Sequence, residues 1–240
     1  MLFIIILHGE RMFIGQEINN KMKKLTYIIL ASCFFIMVSC DTEQEVIKTG
    51  VCDPKFDGSI LEYLKTDDFN WGLTVQMIEK AKMEDIFDGT DPDYPEITFL
   101  GLKSYPIIRH VWDLQTEAGE DLIDKEKVID KLTAEDCKTI LKKYLIKGKY
   151  LKEDLPERDY NYRIDEKGQT GFVELTTLGD NKIRAYIERM DYGGVPKAGA
   201  VIMYLYSTTI NLFVTLSTPN IQPKNGVVHA LGYSHVLGKL

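Results

Sequence analysis

Apolar residues change their spacing near residue 170, and that change divides the chain into a helix-rich first part and a strand-rich second part. Ser59 can cap a short helix carrying Ile60, Leu61 and Leu64, and Asn70 a second in which Trp71, Val75 and Ile78 share a face. Met83 to Phe87 adds another turn before Gly89 to Pro95 breaks the pattern with two prolines and a glycine. A short apolar strand is expected near Ile97 to Leu100. Ser104-Tyr105-Pro106 then offers a cap with proline in the first turn, followed by Ile107, Ile108, Val111 and Trp112. Thr133-Ala134-Glu135-Asp136 is similar to a capping box, with Asp in the place of Glu or Gln. Behind it an apolar stripe of Cys137, Ile140, Leu141, Tyr144 and Leu145 runs to Gly148.

Beyond that point the period falls to two. Phe172 to Leu178, Lys182 to Arg189, Ala200 to Tyr206, Ile210 to Leu216 and Val227 to Leu231 are expected as strands, the first two joined as a hairpin through Gly179-Asp180-Asn181. In the second strand Ile183, Ala185 and Ile187 should face inward, and Arg184, Tyr186 and Glu188 outward. Ala200 to Tyr206 is nearly all apolar, as in a strand covered on both sides. No repeat of fixed period is present, so an α+β domain over residues 57–240 is the expected architecture.

The N-terminus has a different pattern. Lys23 and Lys24 follow Met22, and Leu25 to Val38 is uncharged as far as Ser39-Cys40, giving the basic, apolar and small-residue regions of a secretory signal over residues 22–39. The run is shorter than the roughly 20 apolar residues of a membrane-spanning helix. Val38-Ser39-Cys40 resembles a bacterial lipobox, with Met37 where Leu is usual, which implies acylation of Cys40; a buried or disulfide-bonded Cys40 is the alternative. Residues 1–21 fit poorly with this leader, because Glu10, Arg11 and Glu17 interrupt them; an upstream start codon chosen in error, with Met22 as initiator, explains them. Residues 40–56 begin with the acidic Asp41-Thr42-Glu43-Gln44-Glu45 and read as a tether, which is also similar to the export signals of some surface lipoproteins. These features place the protein in the bacterial cell envelope, at the outer membrane, with surface exposure as one reading of the tether.

The whole chain has 29 Lys and Arg against 36 Asp and Glu. Removing residues 1–39 takes four basic and two acidic residues, leaving 25 against 34 and a net charge of about −9. No basic patch suits a nucleic acid. Cys52 and Cys137 are too few for a disulfide framework; they can pair, but the apolar face holding Cys137 favours two free or buried thiols.

The order of helices then strands, with Asn225-Gly226-Val227-Val228-His229-Ala230-Leu231 near the end and Val236-Leu237 after it, resembles the fasciclin (FAS1) family. Ser59 to Leu64 is similar to the opening helix of that family, and Leu132 to Gly148 to the helix and turn before its sheet. Three places depart from its pattern. Thr98-Phe99-Leu100-Gly101-Leu102 keeps only the Thr and the apolar character of the first signature motif. Lys143-Tyr144, before Leu145-Ile146, stands where a Tyr-His pair is common. Asn220-Ile221 occupies the step that some animal members use as Asp-Ile for cell attachment. The resemblance implies a wedge of β-sheet with helices packed against it, a role in adhesion or extracellular binding, and no catalytic residues.

Candidate chemistry is sparse. Asn225-Gly226 is a strong signal for a turn needing positive φ, and His229 among aliphatic neighbours reads first as a satisfied core or turn-bracing residue. With His110 and His235 it forms no metal or nucleophile-and-base spacing, so neither an enzyme nor a cofactor is expected. Asp88, Asp91, Asp93 and Glu96 offer oxygens for calcium, but Pro92 and Pro95 interrupt them and ordinary turn carboxylates are favoured. Tyr144, Tyr160, Tyr162, Asn220 and Ile221 are the candidate interaction residues. Tyr160 and Tyr162, in the polar stretch Arg158 to Arg163, can stack on sugar rings, although tyrosines more often pack loops onto sheets. The expected protein is therefore a non-catalytic, lipid-anchored envelope protein binding a protein or matrix partner. A surface accessory binding glycans for uptake is the alternative, and a purely structural envelope protein the third reading.

Overall fold

The computed structural model describes residues 53–240. The leader, Cys40, Cys52 and most of the tether lie outside the described residues. Three helices come first: α1 (Ile60–Lys65), α2 (Asp68–Ala81) and α3 (Glu84–Asp88). Ser59 and Glu62 close a reciprocal capping box on α1. In α2 the cap is Asp67, whose carboxylate accepts from the Asn70 amide N–H, so Asn70 sits inside the first turn rather than before it. Trp71 and Ile78 are buried as their spacing predicts, with Val75 half-buried beside them.

Strand β1 (Ile97–Gly101) and helix α4 (Ser104–Ala118) follow. Ser104 is not the cap of α4, which is Lys103; its hydroxyl instead donates to Asn70 O and accepts from the Leu73 N–H, joining α4 to α2. A 3-10 segment (Lys125–Lys131) leads to α5 (Ala134–Lys143), where Thr133 and Asp136 close the expected capping box. The Thr133 contacts hold the Asp136 carboxyl below its usual range. The stripe of α5 ends earlier than its spacing suggests. Tyr144 is the C-cap, and Leu145 already belongs to β2 (Leu145–Lys147), antiparallel to β1. Cys137 is a buried thiol whose pKa burial raises.

The remaining strands are β3 (Val173–Thr176), β4 (Lys182–Arg189), β5 (Val201–Ser207), β6 (Leu212–Val214), β7 (Leu216–Ile221) and β8 (Gly226–Leu231). They form two sheets, ordered β2-β1-β8-β7 and β3-β4-β5-β6, and the chain is α+β. In the first sheet β8 runs parallel to β1, pairing the signature strand with Ile97 to Gly101. The second sheet is antiparallel throughout, and Asp180 at φ 62° makes the β3–β4 turn. The single strand expected over Ile210 to Leu216 is two: β6 completes the second sheet, and after Thr215 the chain crosses to the first as β7.

Helices and sheets share one apolar core. Phe87 meets Phe99 edge to face at 5.1 Å, and Ile60, Leu64, Met77, Ile97, Leu145 and Val228 are wholly buried. Each such side chain removes apolar area worth about 1.5–3 kcal/mol. Ile183, Ala185 and Ile187 face this core as expected. Tyr186 does not face solvent: it is buried with Ile164 and Tyr206 where residues 152–171 fold over the outer face of the second sheet. On β5, Met203 and Leu205 are buried while Ile202 is exposed, so that strand is covered on both sides only toward its C-terminal end.

Candidate functional site

The signature residues lie at the junction of helices and first sheet. Pro223 to Gly226 forms a β-turn closed by the Gly226 N–H on Pro223 O at 3.3 Å, so Gly226 ends the turn and begins β8. Asn225 Oδ1 accepts from the Ile60 N–H at 2.8 Å, and its Nδ2 donates to Phe87 O at 2.9 Å. One side chain thus ties the start of α1 to the end of α3. Asn225→Ala should lose both bonds and leave two partly buried backbone groups unpaired, at about 2–3 kcal/mol together. For a domain of this size that lowers the melting temperature by roughly 5–10 °C, measured by circular dichroism. Val227 and Val228 are buried in the sheet.

His229 is 1% exposed. Its Nδ1 accepts from the Asn220 N–H at 3.0 Å, and its Nε2 lies 2.9 Å from Tyr150 O, which fixes the proton on Nε2. Burial lowers its pKa to about 4. Asn220 is itself buried, at φ 71°; its Oδ1 accepts from the Lys152 N–H, and its Nδ2 donates to both Glu153 oxygens at 3.0 and 2.8 Å. Ile221 packs half-buried against the core. The Asn220-Ile221 step therefore braces β7 to the loop after β2, with its polar atoms spent internally.

Tyr144 is likewise wholly buried. Its hydroxyl donates to His235 Nε2 at 2.8 Å and accepts from the Gly238 N–H at 2.7 Å, fastening the last residues onto α5. Burial raises the Tyr144 pKa, and burial with the Arg109 charge lowers that of His235 to about 4. Thr98, kept from the first signature motif, donates through Oγ1 to Gly148 O and accepts from the Tyr150 N–H. All these groups act as internal braces, so the polar residues picked out by the resemblance do not form an exposed surface.

The candidate interaction surface lies on the outer face of the second sheet. Phe172, Tyr186, Tyr204 and Tyr206 collect there with Arg184, whose guanidinium donates to Ile164 O and stands 4.2 Å from the Phe172 ring centroid. Tyr160 is half-exposed; its hydroxyl accepts from the Arg189 N–H, and Arg158 and Lys197 lie over its ring. The Tyr162 ring rests on Gly168, where a Cβ would come within 2.3 Å of it. The Tyr160 hydroxyl thus ties the loop to β4, while Tyr162 packs within the loop, and the two residues remain 48% and 39% exposed. A further open ring on this face is Phe213, 58% exposed at the β6 edge, with Leu212 beside it. These two were hidden in the sequence inside an ordinary apolar run, and only the turn-prone Asn211 before them signals an edge.

Between them and the 158–165 loop lies an open groove of about 320 Å³, lined by Arg158, Arg163, Asp165, Tyr206, Asn211 and Phe213 among others. Its cations are matched: Arg163 meets Asp165 through two contacts of 2.9 and 3.1 Å, and Arg158 meets Glu188 at 3.0 Å.

No group of three or more His, Cys, Asp or Glu is placed to hold a metal ion among the described residues. Asp88 accepts from the Ser59 hydroxyl and Asp91 from the Asp93 N–H, as turn carboxylates do. No helix among the described residues is long and apolar enough to cross a membrane.

No protein-family model and no curated protein matches the chain. Among solved structures it is similar to a FAS1 domain pair from the insect cell adhesion molecule fasciclin I, with 15% identity and a TM-score of 0.36. That superposition covers 75% of this chain and 45% of the other, so the chain spans less than half of that structure's length.

Proposed function

We propose that this protein is a non-catalytic, FAS1-like binding protein held at the bacterial cell envelope by an acylated Cys40, where it engages a neighbouring protein or matrix component. The observation that carries the reading is the Asn225 to Leu231 motif built into a parallel pair with β1, with Asn225 joining two helices and His229 bracing β7. That arrangement spends the polar groups of the motif on rigidity and leaves binding to outer surfaces. The leader ending at Cys40 supplies the location.

Replacing Cys40 by Ala should move the protein from the membrane fraction to the soluble one and abolish labelling with an acyl-chain analogue. Retained labelling in that variant sinks the anchor. Crosslinking on intact cells, followed by capture of the anchored protein, tests the partner; a variant released from the membrane should lose the crosslinked product.

Saccharide capture is the second reading. It draws on the outer face of the second sheet, where an exposed aromatic ring stands among charges that already neutralise one another.

A further inference from the structure

We propose that the groove between the 158–165 loop and the β5–β6 turn is a subsite for one ring of a neutral saccharide, with Phe213 as its platform and Asn211, Arg163 and Asp165 as its hydroxyl partners. The assignment rests on the saccharide reading above and gives it a location and a ligand class.

The platform comes first. Phe213 is the register partner of Tyr206 across β5 and β6, and the two rings meet edge to face at 5.2 Å and 69°. Tyr206 is buried, so it holds the exposed Phe213 ring in one orientation. A sugar ring presents a face of C–H groups to such a surface and its hydroxyls around the rim. Stacking on a pre-set ring loses little side-chain freedom.

Hydroxyl partners line the same walls. Arg163 and Asp165 form a planar bidentate pair, which uses some guanidinium N–H groups and carboxylate lone pairs and leaves others for vicinal hydroxyls. Asn211, held at φ 56° in the β5–β6 turn, adds an amide that both donates and accepts. The loop wall is anchored too, because Ile164 is buried and its carbonyl accepts from Arg184.

Charge selects the ligand class. Arg163 is answered by Asp165 and Arg158 by Glu188, so an acidic ligand would meet no unmatched cation in the groove. A purely apolar ligand would strip water from the three charged side chains that line the groove, Arg158, Arg163 and Asp165, without replacing their hydrogen bonds. A neutral polyhydroxylated ring replaces them. The groove's volume of about 320 Å³ is at the small end of ligand pockets, as suits a single sugar ring.

The platform is separate from Tyr160. That tyrosine meets Arg189, five residues along β4 from Arg184, the register partner of Tyr206, and therefore about 17 Å away.

The test is titration calorimetry of the purified protein with maltotriose, cellotriose, mannotriose and xylotriose, and with trigalacturonate as the acidic control. At least one neutral trisaccharide should bind, more tightly than trigalacturonate. Phe213→Ala should weaken that binding tenfold or more, and Asp165→Asn several-fold, while Tyr160→Ala leaves it unchanged. Both groove substitutions lie at exposed positions, and thermal melts matching the parent confirm that the fold persists. Loss of binding in Tyr160→Ala but not in Phe213→Ala would overturn the groove while keeping saccharide capture. Tightest binding by trigalacturonate would overturn the neutral class. If no trisaccharide binds, the subsite and the saccharide reading fall together, and the protein-partner reading stands apart from both.

Discussion

Gly226→Val is expected to destabilise the fold by roughly 3–5 kcal/mol, a large share of the stability of a domain this size. Gly226 has φ 156°, a backbone conformation that side chains rarely adopt, and it opens β8 directly against β1. A Cβ at this position would stand 1.9 Å from Ile97 O and 3.1 Å from the Ile60 Cδ1 methyl. Neither neighbour can retreat easily: the Ile97 N–H is bonded to Asn225 O at 3.1 Å, and Ile60 is wholly buried in the core. The strand pair must therefore separate at its first residue, where the Asn225 brace also enters. Melting should fall by roughly 10–15 °C. Gly193→Ala is the comparison, because Gly193 also has positive φ, at 59°, but nothing lies within 4 Å of its would-be Cβ. That variant should lose only about 1 kcal/mol for its backbone conformation. Equal losses in the two variants would mean that φ, and not the approach of β1, sets the cost.

The contrast also shows what was legible in the sequence. Asn-Gly announced a position that only glycine fills, but the sequence gives no hint that a carbonyl 129 residues earlier is what excludes a side chain. The cap at Ser59 and the capping box at Thr133 were readable because the partners lie within four residues. The same local rule misplaced the start of α2, since Asp67 and Asn70 are both good caps three residues apart and their carboxylate–amide bond decides between them. Tyr186 was misassigned because alternation assigns one side of a strand to water, and cannot see that residues 152–171 return to cover it. The crossing from β6 to β7 passes through Thr215 with no glycine or proline to mark it.

Tyr144 and Asn220 looked available for the same reason. Their partners His235 and Glu153 are 91 and 67 residues away in sequence, so nothing nearby betrays that their polar atoms are already used. The groove had the opposite problem: Arg163, Asp165, Asn211 and Phe213 come from two separate segments, and none is unusual where it stands. Sequence pattern reports which residues are apolar and where the backbone turns. It does not report which loop closes over which face, and both the braces and the groove depend on that.

Acid should unfold the protein well before its carboxylates are all protonated, because two histidines are buried in networks that need them neutral. His229 accepts the Asn220 N–H at Nδ1, so a proton there would set two donors against each other. His235 accepts the Tyr144 hydroxyl at Nε2, and the Arg109 charge adds to the effect of burial. Glu153, held by Asn220, opposes the shift at His229 but does not cancel it. Both folded pKa values lie at about 4, against 6.5 for an ordinary histidine. Between those values the unfolded chain binds more protons than the folded one, so stability is full above about pH 6.5, falls through the window, and levels off below about pH 4. Each histidine accounts for about 3 kcal/mol across that window, from roughly 1.4 kcal/mol per pKa unit. Asp136, whose folded pKa is lowered, acts in a different range: its contribution is lost only as pH falls below the ordinary carboxyl value of 3.8. Urea unfolding midpoints measured at pH 7.5, 6.5, 5.5 and 4.5 should therefore decline steadily over the last three. His229→Gln and His235→Gln cost stability at pH 7.5, but each should remove about half of the decline. An unchanged slope in the double variant would assign the acid sensitivity to other groups.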